Sequence, residues 1–192
     1  MPPKEGGCRM RTAYIAACVV SLFASAQGAH AEIVARSSDL NGFAGIIDLD
    51  RGDTEFVIGG RYSYNFNARS TIEGSVGFLS PENTRVFVYE VNYRNNFPGA
   101  GNVVPFLIGG IGAVKYSFDE NVPVEAQALE GTSFAVNFGG GLHYFATENT
   151  AIRFDARDTI IFFGEKTVEA QTIDGGNTNN VGFTVGVSFF FI

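Results

Sequence analysis

Residues 55–66 read EFVIGGRYSYNF. Successive side chains of an extended strand point to opposite faces. Phe56, Ile58, Gly60, Tyr62, Tyr64 and Phe66 therefore share one face, and Glu55, Val57, Gly59, Arg61, Ser63 and Asn65 share the other. The first face is large and aromatic. The second is small and polar, with charge. A helical period of 3.6 would mix the two sets. The stretch predicts a strand lying between two unlike surroundings.

The same sorting recurs down the chain. Ile72, Gly74, Val76 and Phe78 separate from Thr71, Glu73, Ser75 and Gly77. Phe87, Tyr89, Val91 and Tyr93 separate from Val86, Val88, Glu90, Asn92 and Arg94. Phe134, Val136, Phe138, Leu142 and Tyr144 oppose Ala135, Asn137, Gly139, Gly141 and His143. Ile152, Phe154 and Ala156 oppose Arg153, Asp155 and Arg157, and Val181, Phe183, Val185, Val187, Phe189 and Phe191 oppose Gly182, Thr184, Gly186 and Ser188. Eight strands are predicted, near 41–49, 55–66, 70–79, 85–96, 103–117, 133–145, 150–162 and 180–192. Turn chemistry separates them: Asp50-Arg51-Gly52-Asp53, Asn67-Ala68-Arg69, Ser80-Pro81-Glu82-Asn83, Phe97-Pro98-Gly99-Ala100-Gly101 and Thr147-Glu148-Asn149, with longer loops at 118–132 and 163–179.

The charges sort as well. Asp48, Glu55, Arg61, Glu73, Glu90, Arg94, Lys115, Arg153, Asp155 and Arg157 are expected on the polar face, five acids and five bases. A soluble barrel buries its apolar face, and a membrane barrel turns that face to lipid. The polar face here is mostly Gly, Ser, Ala, Thr and Asn, with sparse charges of balanced sign. A water-facing exterior needs many Lys and Glu. Small residues and paired charges suit the narrow lumen of an eight-stranded barrel, which side chains fill. In hydrocarbon every backbone group must be paired internally, so the sheet must close. The expected fold is all-β: an eight-stranded antiparallel transmembrane up-and-down β-barrel. A soluble periplasmic ligand-binding barrel is the alternative that fractionation would separate from it.

Composition agrees. The 192 residues are 45% hydrophobic, 17% charged and 14% aromatic, with 24 Gly, 19 Phe and no Trp. A typical soluble domain carries about 25% charged residues and about 7% Gly. Disorder is excluded by the hydrophobicity. The net charge of −7 argues against a nucleic-acid partner. Two Cys are too few for a disulfide or zinc framework.

Residues 1–31 read as a cleaved signal peptide, leaving 32–192 as the barrel domain. Lys4, Arg9 and Arg11 precede the apolar run Thr12–Ala26, and Ala29-His30-Ala31 is a small-x-small cleavage site. The run is shorter than the ~18 residues a spanning helix needs. Met10 is an alternative start. Ile15-Ala16-Ala17-Cys18 looks like a lipoprotein box, but it lies inside the apolar run rather than at its end. Cleavage after Ala31 removes both Cys and shifts the net charge to −9.

Val104-Pro105-Phe106-Leu107-Ile108-Gly109-Gly110-Ile111-Gly112 and Phe138-Gly139-Gly140-Gly141-Leu142-His143-Tyr144-Phe145 resemble paired strands of the small outer-membrane β-barrel family, which includes OmpA-like and opacity-type barrels. Asn149–Arg157 is similar to that family's next strand. Ser188-Phe189-Phe190-Phe191-Ile192 is similar to the aromatic C-terminal strand read by the barrel-assembly machinery, with Ile192 where Phe is usual. The resemblance covers residues 40–192. It implies the cell outer membrane of a Gram-negative bacterium, with outer-membrane lipid and lipopolysaccharide as surroundings.

No catalytic site, cofactor or metal site is expected. A lipid-modifying enzyme is the remaining alternative, since some eight-stranded barrels modify lipid A. A deacylase of that type carries a His, Ser and Glu set, with His and Ser two residues apart on one strand face. The residues two from His143 are Gly141 and Phe145, so His143 is read as a lumen residue hydrogen-bonded to neighbours. Gly139-Gly140-Gly141 precedes no helix and reads as close strand packing rather than a phosphate loop. The lumen charges are read as structural. Pairing of the second and third strands around Ala68 brings Arg61 near Glu73. Pairing of the next two around Glu82 puts Glu90 opposite Glu73, with Arg94 one step away. An Arg61–Glu73–Glu90–Arg94 cluster would plug the barrel, joined in the lumen by Arg153, Asp155 and Arg157. The alternative is a narrow gated pore. The loops carry Asp119, Glu120, Glu125, Glu130, Glu165, Glu169 and Asp174 against Lys166. They read as a solvated rim or as contacts to lipopolysaccharide, through divalent ions, or to a basic host or envelope partner. The expected role is structural or surface-interacting, with an adhesin or immune-facing protein as the variant.

Overall fold

A computed structural model of the chain describes residues 33–48, 54–80, 84–99, 101–118, 131–163, 166–168, 171–173 and 176–192. The predicted signal peptide and the acids of the long loops named above lie outside these residues. The barrel strands are β1 (Ser37–Asp48), β2 (Thr54–Asn65), β3 (Ser70–Leu79), β4 (Thr84–Asn96), β5 (Val103–Phe118), β6 (Gly131–Phe145), β7 (Thr150–Phe163) and β10 (Gly176–Phe191). Between β7 and β10, β8 (Lys166–Val168) and β9 (Gln171–Ile173) form a separate two-stranded hairpin. The eight long strands close in the order β1-β10-β7-β6-β5-β4-β3-β2, each antiparallel to its neighbours. Closure removes every sheet edge and satisfies the backbone without water. The strands run 10 to 16 residues, enough to cross a bilayer when tilted.

Three of the strand starts differ from expectation by two residues or more. β1 begins at Ser37 rather than 41, β6 at Gly131 rather than 133, and β10 at Gly176 rather than 180. The stretch 163–179 is thus partly strand.

The chain turns tightly at one end of the barrel. Between β2 and β3, Phe66 N donates to Ser70 O at 2.9 Å, and Asn67 Oδ1 accepts from the amides of Arg69 and Ser70 at 2.8 and 2.9 Å. Between β6 and β7, Thr147 Oγ1 plays the same part for Asn149 and Thr150, at 3.3 and 3.1 Å. A short polar side chain that bonds its own backbone makes such turns. Replacing Asn67 with Ala is expected to cost about 1 kcal/mol in a denaturant titration of the refolded barrel, the net worth of such bonds. No change would show that the turn is held by its strands alone.

Outward residues form the aromatic face. Phe56 is 63% exposed and Ile111 57%, beyond anything a soluble protein of this size needs to show. At the turn end, Tyr62, Tyr64, Tyr93 and Tyr144 are outward and at least 38% exposed. Tyr62 and Tyr93 place their hydroxyls 3.0 Å from Ser38 and Ser70. Rings with one apolar body and one polar tip mark a membrane interface.

The expected face of two charges is corrected. Asp48 and Lys115 point outward, in register with Val181 and Phe87. Arg85 and Asp158 are outward too. These four charges lie toward the loop end, where the lipid-facing wall gives way to polar surroundings. The inward faces of β1 and β5 are instead partly apolar, with Phe43 and Ile47 on one and Val104, Phe106, Ile108 and Val114 on the other.

Candidate functional site

Three tiers fill the lumen. At the turn end, Ile33, Val104, Phe145, Ala151 and Phe190 form a buried apolar layer. At the loop end, Val57, Leu79, Val86, Val114, Ala135 and Ile161 form another, with Phe43, Ile47, Val88 and Tyr116 packed against it. Charge occupies the space between.

All seven charged residues anticipated for the plugging cluster lie in this middle tier, in one continuous network. Glu73, fully buried, is its hub. It meets Arg94 at 3.0 Å, Arg157 at 2.8 Å and Arg61 at 3.8 Å, and makes a close pair with Arg153. Asp155 meets Arg153 at 2.6 Å, Arg157 at 3.1 Å and Arg61 at 3.2 Å. Glu90 meets Arg157 at 2.9 Å and accepts from Ser75 at 2.8 Å. Asp39, absent from the expected set, takes Arg94 at 3.1 Å. Four carboxylates thus face four guanidiniums. Arginine suits the place, because its fork can serve several acceptors at once.

The expected Glu73–Glu90 juxtaposition does not occur. β3 and β4 pair two residues out of the anticipated register, so Glu73 faces Asn92 and Glu90 faces Ser75. The β2–β3 register does centre on Ala68, with Glu73 opposite Ser63 and Arg61 opposite Ser75.

Ring order explains the reach of these pairs. β7 and β3 are diametrically opposite in the closed sheet. The Arg153–Glu73 and Arg157–Glu73 contacts therefore cross the full width of the lumen. Arg61 to Asp155, Arg94 to Asp39 and Arg157 to Glu90 each join strands three places apart around the ring. Inward glycines make room for the long side chains. A Cβ on Gly110 would overlap Asn92, and one on Gly139 or Gly141 would overlap a carbonyl oxygen of β7. The run Gly139-Gly140-Gly141 is close strand packing, as expected.

Neutral groups complete the layer. Asn41 Oδ1 and Thr184 Oγ1 accept from Arg61 at 3.1 and 3.0 Å, and Asn137 donates to Asn92 at 2.8 Å. The guanidiniums also lie on the apolar tiers. Arg61 sits 3.8 Å from the centroid of Phe43, and Arg153 sits 4.7 Å from that of Phe106. Such cation–π contact is strongest where water is excluded.

His143 is corrected in one respect. It is lumen-facing and fully buried, but neither ring nitrogen has a hydrogen-bond partner among the described residues. It packs instead against Phe106, Phe145 and Phe190, with ring centroids 5.1 to 6.2 Å away. No group of three or more His, Cys, Asp or Glu arranged to hold a metal is present among the described residues.

A closed eight-stranded sheet with an aromatic exterior and a charged, side-chain-filled interior is the reverse of a soluble barrel. A family model for the outer membrane protein beta-barrel domain matches residues 15–191. The chain belongs to that family. This outer-membrane barrel resembles solved structures at low identity. The N-terminal β-barrel domain of Pseudomonas aeruginosa OprF is 15% identical, with a TM-score of 0.59, covering 82% of this chain and 98% of that one. Neisserial surface protein A is 13% identical, with a TM-score of 0.60, covering 80% and 95%. Yersinia pestis Ail, the attachment invasion locus protein, in complex with the heparin analogue sucrose octasulfate, is 17% identical, with a TM-score of 0.52, covering 83% and 100%. Among curated proteins none matches. The barrel is placed in the outer membrane.

Proposed function

We propose that this outer-membrane barrel is a sealed structural element of the membrane whose loops make surface contacts, rather than a pore or an enzyme. The observation that carries the reading is the cross-lumen attachment of Glu73 to Arg153 and Arg157, held between two apolar tiers. An aqueous path would have to pass all three layers. Opening one would strand buried charge, at a cost of several kcal/mol. No catalytic role is assigned, since the lumen's His143 is packed among phenylalanine rings and not beside a hydroxyl nucleophile.

A surface-contact role draws its support from charge. The lumen network balances four acids with four arginines, so the net negative charge must be carried elsewhere, and residues 118–132 hold four acids and no Lys or Arg. A partner at those loops would be basic, or bridged by divalent cations. A heparin-like polyanion of the kind bound to Ail would be repelled. Planar-bilayer recording of the purified protein tests the sealed reading. Wild type is expected to give no steady channels. A reproducible open level from wild type would overturn the proposal in favour of a narrow pore.

A further inference from the structure

The turn-end mouth of the lumen has two unlike halves. Val104, Phe145, Ala151 and Phe190 line it on β5, β6, β7 and β10, four neighbours in the ring. Ser37, Asn65, Thr71 and Asn96 line it on β1 to β4, and all four are buried. The polar half is one relay. Asn96 Nδ2 donates to Thr71 Oγ1 at 2.9 Å, and Thr71 Oγ1 donates to Asn65 Oδ1 at 2.6 Å. Asn65 Nδ2 donates to Ser37 Oγ at 3.1 Å, and Ser37 Oγ donates to Val34 O at 2.6 Å. The relay thus ends on the segment that precedes β1.

That segment joins the two halves. Val34, Ala35 and Arg36 are exposed, but Ile33 is fully buried among the apolar four. A tight turn brings it back to the mouth. Ser37 N donates to Val34 O at 3.3 Å, Arg36 N donates to Asn65 O at 2.7 Å, and Arg36 takes a φ of 64°. Left-handed backbone is disfavoured for a residue with a Cβ, so the closed turn holds Arg36 in a conformation it leaves when released. Just inside this tier lies His143. Its ring packs against Phe145 and Phe190, and neither ring nitrogen has a hydrogen-bond partner among the described residues. In register, it pairs with Arg153 of the charge layer.

We propose that residues 33–36 form a strap that closes the turn-end mouth, with Ile33 as its stopper, and that opens without disturbing the charge layer. Released, the strap uncovers an apolar recess floored by the ring nitrogens of His143. One buried side chain and neutral hydrogen bonds hold the strap, whereas the layer beyond is held by four acids and four arginines. Segments with few buried apolar contacts open before the body of a fold does. The strap rests on the reading of a filled lumen and adds a moving part at its turn end.

The test is the rate at which diethyl pyrocarbonate acylates His143 in the full barrel in micelles, followed by peptide mass mapping. His143 is the single histidine from Glu32 onward. Wild type is expected to react slowly until heated. Losing the burial of an isoleucine side chain raises the open population about tenfold to a hundredfold, and Ile33→Gly is expected to react faster by that factor. Ile33→Val is expected to gain about threefold. Arg36→Pro keeps Ile33 but can neither adopt a φ of 64° nor donate to Asn65 O, and is expected to react about as fast as Ile33→Gly. Val34→Ser, at an exposed position, is expected to match wild type. Heat-modifiable gel mobility of each variant monitors folding. Equal rates for wild type and folded Ile33→Gly would overturn the proposal, as would a Val34→Ser rate equal to that of Ile33→Gly. If Ile33→Gly fails to fold, an unchanged rate in folded Ile33→Val overturns it. Planar-bilayer recording separates the strap from the seal, and Ile33→Gly is expected to stay silent. Steady channels from wild type would overturn the sealed reading alone. Channels from Ile33→Gly but not from wild type would overturn the strap's independence of the charge layer.

Discussion

Glu73→Gln is expected to destabilise the folded barrel by about 3–5 kcal/mol, the usual consequence of removing one partner from a buried ion network. Glu73 meets four guanidiniums, and its side chain is fully buried. Gln keeps the shape but leaves four arginines facing three carboxylates, with one positive charge uncompensated in a space closed by apolar tiers. Guanidinium titration of the barrel refolded in micelles would measure the loss. A second substitution sharpens the reading. Removing Arg153 as well, by Arg153→Gln, restores the balance of charge, and the double variant should lose less than the two single losses added together. Strict additivity, or a Glu73→Gln loss below about 1 kcal/mol as for an exposed pair, would mean that the network is solvated.

Gly141→Val is expected to abolish assembly. A Cβ at this position meets the carbonyl oxygen of Phe154 on β7 and lies 2.7 Å from the ring edge of Phe106. The phenylalanine can rotate, but the carbonyl is pinned in the β6–β7 ladder, where Gly141 faces Asp155. Overpacking in a core typically costs about 1–3 kcal/mol, and backbone that cannot move raises the cost beyond that. The outward Gly74 has nothing within 4 Å of a Cβ, so Gly74→Ala should be neutral or slightly stabilising. Heat-modifiable gel mobility would report both. A folded band for Gly141→Val at wild-type yield would show that β6 and β7 have slack between them.

These two sites differ in how readily the sequence discloses them. Gly141 is legible as an inward residue, because Leu142 and Tyr144 alternate with Gly141 and His143. Glu73 is legible as a lumen acid, and Arg61 as its neighbour, because the turn at Asn67-Ala68-Arg69 is short and symmetric enough to set the register. The β3–β4 register is not legible to the residue, since its connection leaves the centre of pairing open by one or two positions. The contacts from β7 to β3 were out of reach for a different reason. Alternation along a strand gives the face of a side chain but not its partner across the lumen, which depends on how the sheet closes.

Asp39 and the faces of β1 and β5 were missed through one physical cause. Alternation is visible only where the two faces differ. Ser37, Asp39 and Asn41 point inward while Ser38 points outward, so the first residues of β1 are polar on both sides and show no alternation. In β5 the inward Val104, Phe106, Ile108 and Val114 match the outward Val103, Leu107 and Ile111 in character. Apolar tiers at the two ends of the lumen erase the very contrast that reveals a membrane strand elsewhere. Lys115, expected on the polar face with the other charges, lies outside, in register with Phe87.

A sealed barrel keeps a dry lumen inside a lipid-facing wall. The chain from Glu32 onward has no cysteine, so single thiols can be introduced cleanly. Ser188 is fully buried in the lumen, and Asn177 is exposed at the loop end. The decisive measurement is modification of Ser188→Cys and Asn177→Cys by a charged, membrane-impermeant maleimide in the reconstituted barrel. Rapid labelling is expected at position 177, and at position 188 none until the barrel is unfolded by heat. Labelling of Ser188→Cys in the folded barrel at a rate close to that of Asn177→Cys would mean a water-filled lumen and would contradict a sealed barrel.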